Sequence, residues 1–160
     1  MSKAKTEKPK KSTYKPPVLK HLGALNGKWK VNGSIKDEPD TKIKGWESYE
    51  WMKGGFFMIM RWKIVTKQKK HKDVDRGMMV IGLDDKTKGC TGRSYGSSGT
   101  VTDYKINVQK GNFGIKGTDY VFEGTFSKDR KSIEGAWKQK AENGKWQYWY
   151  NKRLKKKKRN

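Results

Sequence analysis

The chain has 160 residues, 39 Lys and Arg against 16 Asp and Glu, a formal charge of +23 and one cysteine. Its length suits a single domain, and one cysteine excludes an internal disulfide. The longest apolar run has five residues, far below the roughly 20 that a membrane-spanning helix needs. The first twenty residues contain no apolar stretch typical of a secretory signal, so we expect a cytoplasmic protein.

The sequence predicts a charged N-terminal arm followed by one folded domain. Residues 1–17 combine low hydrophobicity with high charge and three prolines, a composition that predicts a disordered Lys-rich arm. Residues 18–154 are predicted to form the folded domain. Within its first turns Leu19, Leu22 and Leu25 recur at a spacing of three, which favours a short amphipathic helix able to plug one end of a barrel.

From residue 27 onward the apolar period is two, and short turns separate the runs. About ten strands are predicted, near 27–36, 42–53, 55–67, 74–84, 88–97, 100–109, 112–118, 120–127, 131–140 and 145–154. Short turns force neighbouring strands to be antiparallel. A closed barrel and a two-sheet sandwich both satisfy this pattern, and the absence of an evident crossover favours the barrel. The predicted fold is therefore an all-β, up-and-down antiparallel β-barrel with a short N-terminal helix.

Four short motifs carry a resemblance to a known family: Leu25-Asn26-Gly27-Lys28-Trp29, Gly54-Gly55-Phe56-Phe57, Gly82-Leu83-Asp84 and Gly144-Lys145-Trp146. The first resembles the opening of calycin barrels, the lipocalins and fatty-acid-binding proteins. Residues 21–154 as a whole resemble a calycin-like, one-domain bacterial family of unknown function. The resemblance implies a small apolar ligand, and it implies that Trp29 closes one end of the barrel beneath Arg153 or Lys152.

Aromatic and methionine side chains are the strongest functional signal of the sequence, since aromatic residues make up 12% of it. Such side chains suit an apolar ligand site, although they also fill the interior of small barrels. By alternation the ligand-binding candidates are Tyr49, Trp51, Met58, Met60, Trp62, Tyr104, Phe122, Trp137 and Tyr148, with Phe56 on the same face. Two polar candidates accompany them, because Glu47 shares the inward parity and Arg61 lies on the adjacent strand. The favoured alternative to an internal pair is an outward salt bridge of Glu47, because Arg61 lies opposite the apolar face of its own strand.

No catalytic constellation is evident in the sequence. His21 and His71 lie far from Cys90 and show no metal-ligand spacing, and the acidic pair Asp84-Asp85 is typical of a turn. We therefore predict no metal and no cofactor, and a binding protein is favoured over an enzyme. Its predicted ligand is small and apolar or amphipathic, and the basic surfaces favour one that carries an anionic group.

The two ends of the chain carry much of the charge, +6 in residues 1–20 and +7 in residues 152–160, which leaves +10 for residues 21–151. Residues 155–160 are predicted to form a basic tail, whose nucleic-acid candidates are Lys155, Lys156, Lys157, Lys158 and Arg159. Phosphate contacts need positive charge and little geometry, so a nucleic acid or another polyanion is the alternative partner. Improved solubility and attraction to an anionic membrane surface also explain such tails.

Overall fold

The structure, a computed structural model, describes residues 15–158. Ten antiparallel strands follow one another around a closed barrel, and β1 pairs with both β2 and β10 to complete it. The strands are β1 Gly27–Ile35, β2 Glu38–Trp51, β3 Phe57–Gln68, β4 His71–Leu83, β5 Cys90–Gly96, β6 Val101–Gln109, β7 Asn112–Lys116, β8 Tyr120–Phe126, β9 Ser132–Lys140 and β10 Trp146–Lys156. The predicted ten-stranded barrel is confirmed, and closure leaves no unpaired strand edge.

A short helical segment covers the end of the barrel at which β1 begins. Helix α1 (Pro17–His21) continues into a 3-10 turn at Leu22–Leu25. Leu19, Leu22 and Leu25 are at most 1% exposed, because they point into the barrel from this end. The indole Nε1 of Trp29 donates a hydrogen bond to the Leu25 carbonyl oxygen at 2.8 Å. We call this the plugged end, and the opposite end, where β1 leads into β2, the open end.

Two strand boundaries differ from the prediction in ways that matter for charge. Residues 68–73, which lie between two predicted strands, form a tight hairpin, with Lys69 in the left-handed region at φ 51° and both strands extending to the turn. The last strand continues to Lys156, so Lys155 and Lys156 pair with β1 instead of belonging to a tail. The alternation of apolar and polar residues along β10 does not show where its hydrogen bonding to β1 ends, because β1 is distant along the chain.

Barrel closure at Trp29 uses a different cation from the two expected. Trp29 is fully buried, and the Lys156 ammonium lies 5.2 Å from the centroid of its ring. Arg153 faces outward and forms a salt bridge with Glu134, its cross-strand partner on β9. Lys152 points into the barrel at a point further from Trp29. The register of β10 thus places Lys156, rather than Arg153 or Lys152, over the indole.

The residues before 15 and after 158, which include most of the expected N-terminal arm and Arg159, lie outside the described part of the chain. Within residues 15–158, no helix has the length and apolar character needed to cross a membrane.

Candidate functional site

A cavity of about 280 Å³ occupies the open half of the barrel interior. Its walls come from inward-facing positions of β2 to β10, with the β5–β6 turn at the rim. The lining residues are Glu47, Met60, Trp62, Ile64, Asp75, Met79, Ser94, Gly96, Thr100, Thr102, Tyr104, Ile115, Tyr120, Trp137, Trp149, Tyr150 and Lys152. Other depressions lie on the outer wall, for example beside Arg93, Asp103 and Lys105. The barrel is therefore packed at its plugged end and hollow at its open end.

A buried ion pair forms part of the cavity wall. The Lys152 ammonium lies 2.5 Å from Oε1 of Glu47, and both residues are at most 3% exposed. The Tyr49 hydroxyl donates to Oε2 of the same carboxylate at 2.8 Å. Burial raises the pKa of Tyr49 well above its ordinary value, and the charge of Glu47 raises it further, so this phenol remains a donor. Both carboxylate oxygens are thus occupied, as a buried charge requires.

Two adjacent aromatic rings also contact the same ammonium. Lys152 Nζ lies 4.5 Å from the centroid of Phe122 and 5.5 Å from that of Trp137. The faces of aromatic rings attract cations, and this attraction strengthens where water is excluded. Lys152 is therefore held by one carboxylate and two rings.

Two glycines make room for aromatic walls of the cavity. The indole of Trp62 lies directly over Gly77, where an added Cβ would clash with the ring and would also come within 2.6 Å of the Tyr95 carbonyl oxygen. The ring of Tyr104 lies over Gly117, 2.7 Å from where a Cβ would stand. Glycine in a strand allows such close approach. These two positions fix where the rings of Trp62 and Tyr104 can lie.

A second carboxylate lies near the mouth of the cavity. Trp62 Nε1 donates to Oδ2 of Asp75 at 3.2 Å. Desolvation raises the pKa of Asp75 and the nearby charge of Asp73 adds to this, while the bond from Trp62 opposes it. The same mouth contains the packed rings of Tyr120, Trp149 and Tyr150, with centroids 5.5 Å apart for the first two and 4.9 Å for the last two.

The predicted ligand-binding residues fall into three groups in the structure. Met60, Trp62, Tyr104 and Trp137 line the cavity. Tyr49, Trp51, Met58 and Phe122 face inward but contribute to the packed core or support the ion pair; Phe56 packs there too. Tyr148 lies on the outside, 41% exposed, with its hydroxyl directed to the Ser34 carbonyl oxygen.

The prediction that Tyr148 faces inward was wrong for a local reason. The pairing of β10 with β9 shifts between Tyr148 and Tyr150, so that Trp149 is an extra residue in the strand. Such a β-bulge breaks the period of two and bends the strand. It turns Tyr148 outward and brings both Trp149 and Tyr150 to the cavity. Alternation before the bulge therefore does not predict the face used after it.

The polar candidates are divided between the two sides of the wall. Glu47 faces inward, as its parity predicts, but its partner is Lys152 and not Arg61. Arg61 lies outside, 4.0 Å from Glu50, so its prediction as a cavity residue was wrong. The outward salt bridge favoured for Glu47 was wrong too, because Glu47 is buried and pairs with Lys152. Sequence reasoning missed Lys152 as a cavity residue, although its alternation with Leu154 is the signal that reveals its inward face.

The basic candidates are spread over different environments. Lys155, Lys157 and Lys158 are exposed, whereas Lys156 is half-buried against Trp29. All four lie at the plugged end, away from the mouth of the cavity. In the described residues, no three His, Cys, Asp or Glu side chains come together in a way that could hold a metal ion.

Similarity of this chain to known proteins is limited to solved structures. No protein-family model matches the chain, and no curated protein is significantly similar to it. Among solved structures, a de novo designed fluorescence-activating β-barrel is similar at 12% sequence identity, with 85% of this chain and 96% of that chain covered and a TM-score of 0.44.

Proposed function

We propose that this protein is a non-enzymatic binding protein that holds a small, ring-bearing molecule in the open half of its barrel. The cavity of about 280 Å³ carries this proposal. Its volume lies just below the roughly 300–1,000 Å³ typical of small-molecule sites, and its mixture of aromatic walls with a few polar groups is typical of them too. A compact ligand suits this space better than a long chain.

The buried ion pair supports binding rather than catalysis. The acid and the base that the cavity buries, Glu47 and Lys152, neutralise each other at 2.5 Å, and Tyr49 occupies the second carboxylate oxygen. A general base needs a free lone pair directed at the substrate. This cluster provides a rigid polar floor instead.

The test is to fill the cavity and measure binding of the neutral fluorescent probe N-phenyl-1-naphthylamine. Ser94 lines the cavity from β5, so Ser94→Phe places a ring in the space that a ligand would use. Thr91→Phe is the matched control, because position 91 lies on the same strand but on its outer face. We expect probe binding to the native protein and to Thr91→Phe, and its loss in Ser94→Phe. Equal binding by both variants would contradict the proposal.

A second function, contact with nucleic acid at the plugged end, is favoured by the distribution of charge. Among described residues outside the strands, the plugged end carries eleven basic and three acidic side chains: Lys15, Lys20, Lys53, Lys86, Lys88, Lys110, Lys128, Arg130, Lys131, Lys157 and Lys158 against Asp84, Asp85 and Asp129. The open end carries four and three: Lys36, Lys69, Lys70 and Lys145 against Asp37, Asp119 and Glu142.

Salt titration of binding to labelled single-stranded RNA tests this second function. One variant changes Lys110, Lys131, Lys157 and Lys158 to Gln, and its control changes Lys36, Lys69, Lys70 and Lys145, so each loses four charges. The binding constant falls as salt rises, and each lost phosphate contact is expected to make the slope of log K against log salt shallower by about 0.7. We expect a shallower slope for the plugged-end variant alone. Equal slopes, or no binding near 50 mM salt, would exclude a polyanion surface at this end.

A further inference from the structure

We propose that the cavity selects an organic cation, a compact molecule that carries an ammonium group next to its ring. This inference rests on the proposed ligand-binding function and specifies the chemical class of the ligand. It follows from which charges in the cavity are already neutralised and which one is not.

The only ammonium that lines the cavity within the described chain is already occupied. Lys152 contacts Glu47, Phe122 and Trp137, and it is 3% exposed. A ligand carboxylate would have to displace Glu47 and leave a buried carboxylate without its cation, which is costly. The interior therefore gives an anion no free positive group.

Asp75, in contrast, is available to a ligand. It lines the cavity, and within the described chain its one side-chain hydrogen bond comes from the neutral indole of Trp62 at 3.2 Å. Among residues 15–158 it forms no salt bridge. A carboxylate has about four acceptor positions, so a cationic donor can still bind there.

Aromatic side chains surround the same space. Besides Trp137, five rings line the cavity, those of Trp62, Tyr104, Tyr120, Trp149 and Tyr150. Several aromatic rings around one site are the usual means of recognising ammonium groups. This barrel already holds one ammonium in that way, since Lys152 lies against the adjacent rings of Phe122 and Trp137.

The positive charge of the whole protein does not exclude such a ligand. Fields from exposed charges are screened over about 8 Å at physiological ionic strength. Most of the excess charge in the connecting segments lies at the plugged end, whereas the turns of the open end hold four basic and three acidic residues. A cation that approaches the mouth therefore passes turns with nearly equal numbers of basic and acidic residues before it reaches Asp75.

The test compares three probes of similar size by isothermal titration calorimetry: phenyltrimethylammonium, its neutral isostere tert-butylbenzene, and benzoate. We expect phenyltrimethylammonium to bind about tenfold more tightly than tert-butylbenzene, and benzoate to bind most weakly. Asp75→Asn is expected to remove most of the cation's advantage and to leave tert-butylbenzene unchanged. The control Asp119→Asn removes a carboxylate at the same end that does not line the cavity, and it should preserve the advantage.

The outcomes separate this inference from the function on which it rests. Equal affinities for the cation and its isostere, or tighter binding of benzoate, would overturn the inference and leave the ligand-binding function intact. If Asp75→Asn still binds phenyltrimethylammonium more tightly than tert-butylbenzene by the same factor, the proposed role of this carboxylate is wrong. Absence of binding by all three probes, together with N-phenyl-1-naphthylamine, would overturn both.

Discussion

The two ends of this barrel are built from the same ten strands, but the interior is filled at one end and hollow at the other. At the plugged end, Leu19, Leu22 and Leu25 fill the interior above Trp29, and the surrounding turns carry most of the basic excess. At the open end, no helix formed by residues 15–158 enters, and aromatic side chains surround a cavity of about 280 Å³. Under the proposed function, stability is concentrated at the plugged end and binding at the open end. The Glu47–Lys152 pair lies between them.

The largest effect is expected at that boundary. Lys152→Met leaves Glu47 buried without its cation, and we expect a loss of about 4 kcal/mol in the free energy of unfolding, measured by urea denaturation. The double variant Glu47→Gln/Lys152→Met buries no charge and should recover most of this loss. Arg93→Ala, which breaks the exposed pair with Asp103, should leave stability unchanged within error. A double variant as unstable as Lys152→Met would contradict this account.

A slightly smaller effect tests whether the plugged end is structural. Leu22 is 1% exposed and packs away from the cavity lining. Leu22→Ala should lower the free energy of unfolding by about 3 kcal/mol because it leaves a cavity in the core. The affinity for N-phenyl-1-naphthylamine, measured where the variant is folded, should be unchanged. A reduced affinity would show that the two ends are coupled.

The converse test changes the cavity wall. Gly77→Ala places a methyl group against Trp62 and the Tyr95 carbonyl oxygen, so the indole has to move. We expect a loss of about 2 kcal/mol in stability from overpacking, together with weaker binding of the same probe. Gly23→Ala is the control at the plugged end, since an added Cβ meets nothing within 4 Å there. If both variants bind the probe equally, the position of Trp62 does not matter for binding.

The smallest effect concerns pH. Desolvation raises the pKa of Asp75 in the folded protein above its ordinary value of 3.8, so the folded state binds its proton more tightly than the unfolded state. Stability contributed by Asp75 should therefore fall as the pH rises from about 3.8 through the raised pKa. His71 and Asp73 lie on the same strand, and Asp75→Asn isolates the contribution of one group. Thermal unfolding across this range should show a shallower fall in Asp75→Asn than in the native protein.

Much of the cavity wall was predictable from alternation. Met60, Trp62, Tyr104 and Trp137 lie in strands with an unbroken period of two, so their inward faces follow from local chemistry. Trp149 and Tyr150 were not predictable in this way because the bulge that brings them inward depends on pairing with β9. The calycin resemblance stays a prediction, since no family model matches the chain.

The sequence alone determined the number of strands, their antiparallel order and the plug of leucines, because each depends on neighbouring residues along the chain. Tertiary structure decided which charges meet inside. Glu47 and Lys152 are 105 positions apart, and they meet because β1 pairs with both β2 and β10. Sequence patterns report on which face a residue lies, whereas closure of the barrel fixes the register between strands that are distant along the chain. Barrel closure brings Lys152 into an ion pair with Glu47, whereas Asp75 lines the cavity without a salt bridge among residues 15–158.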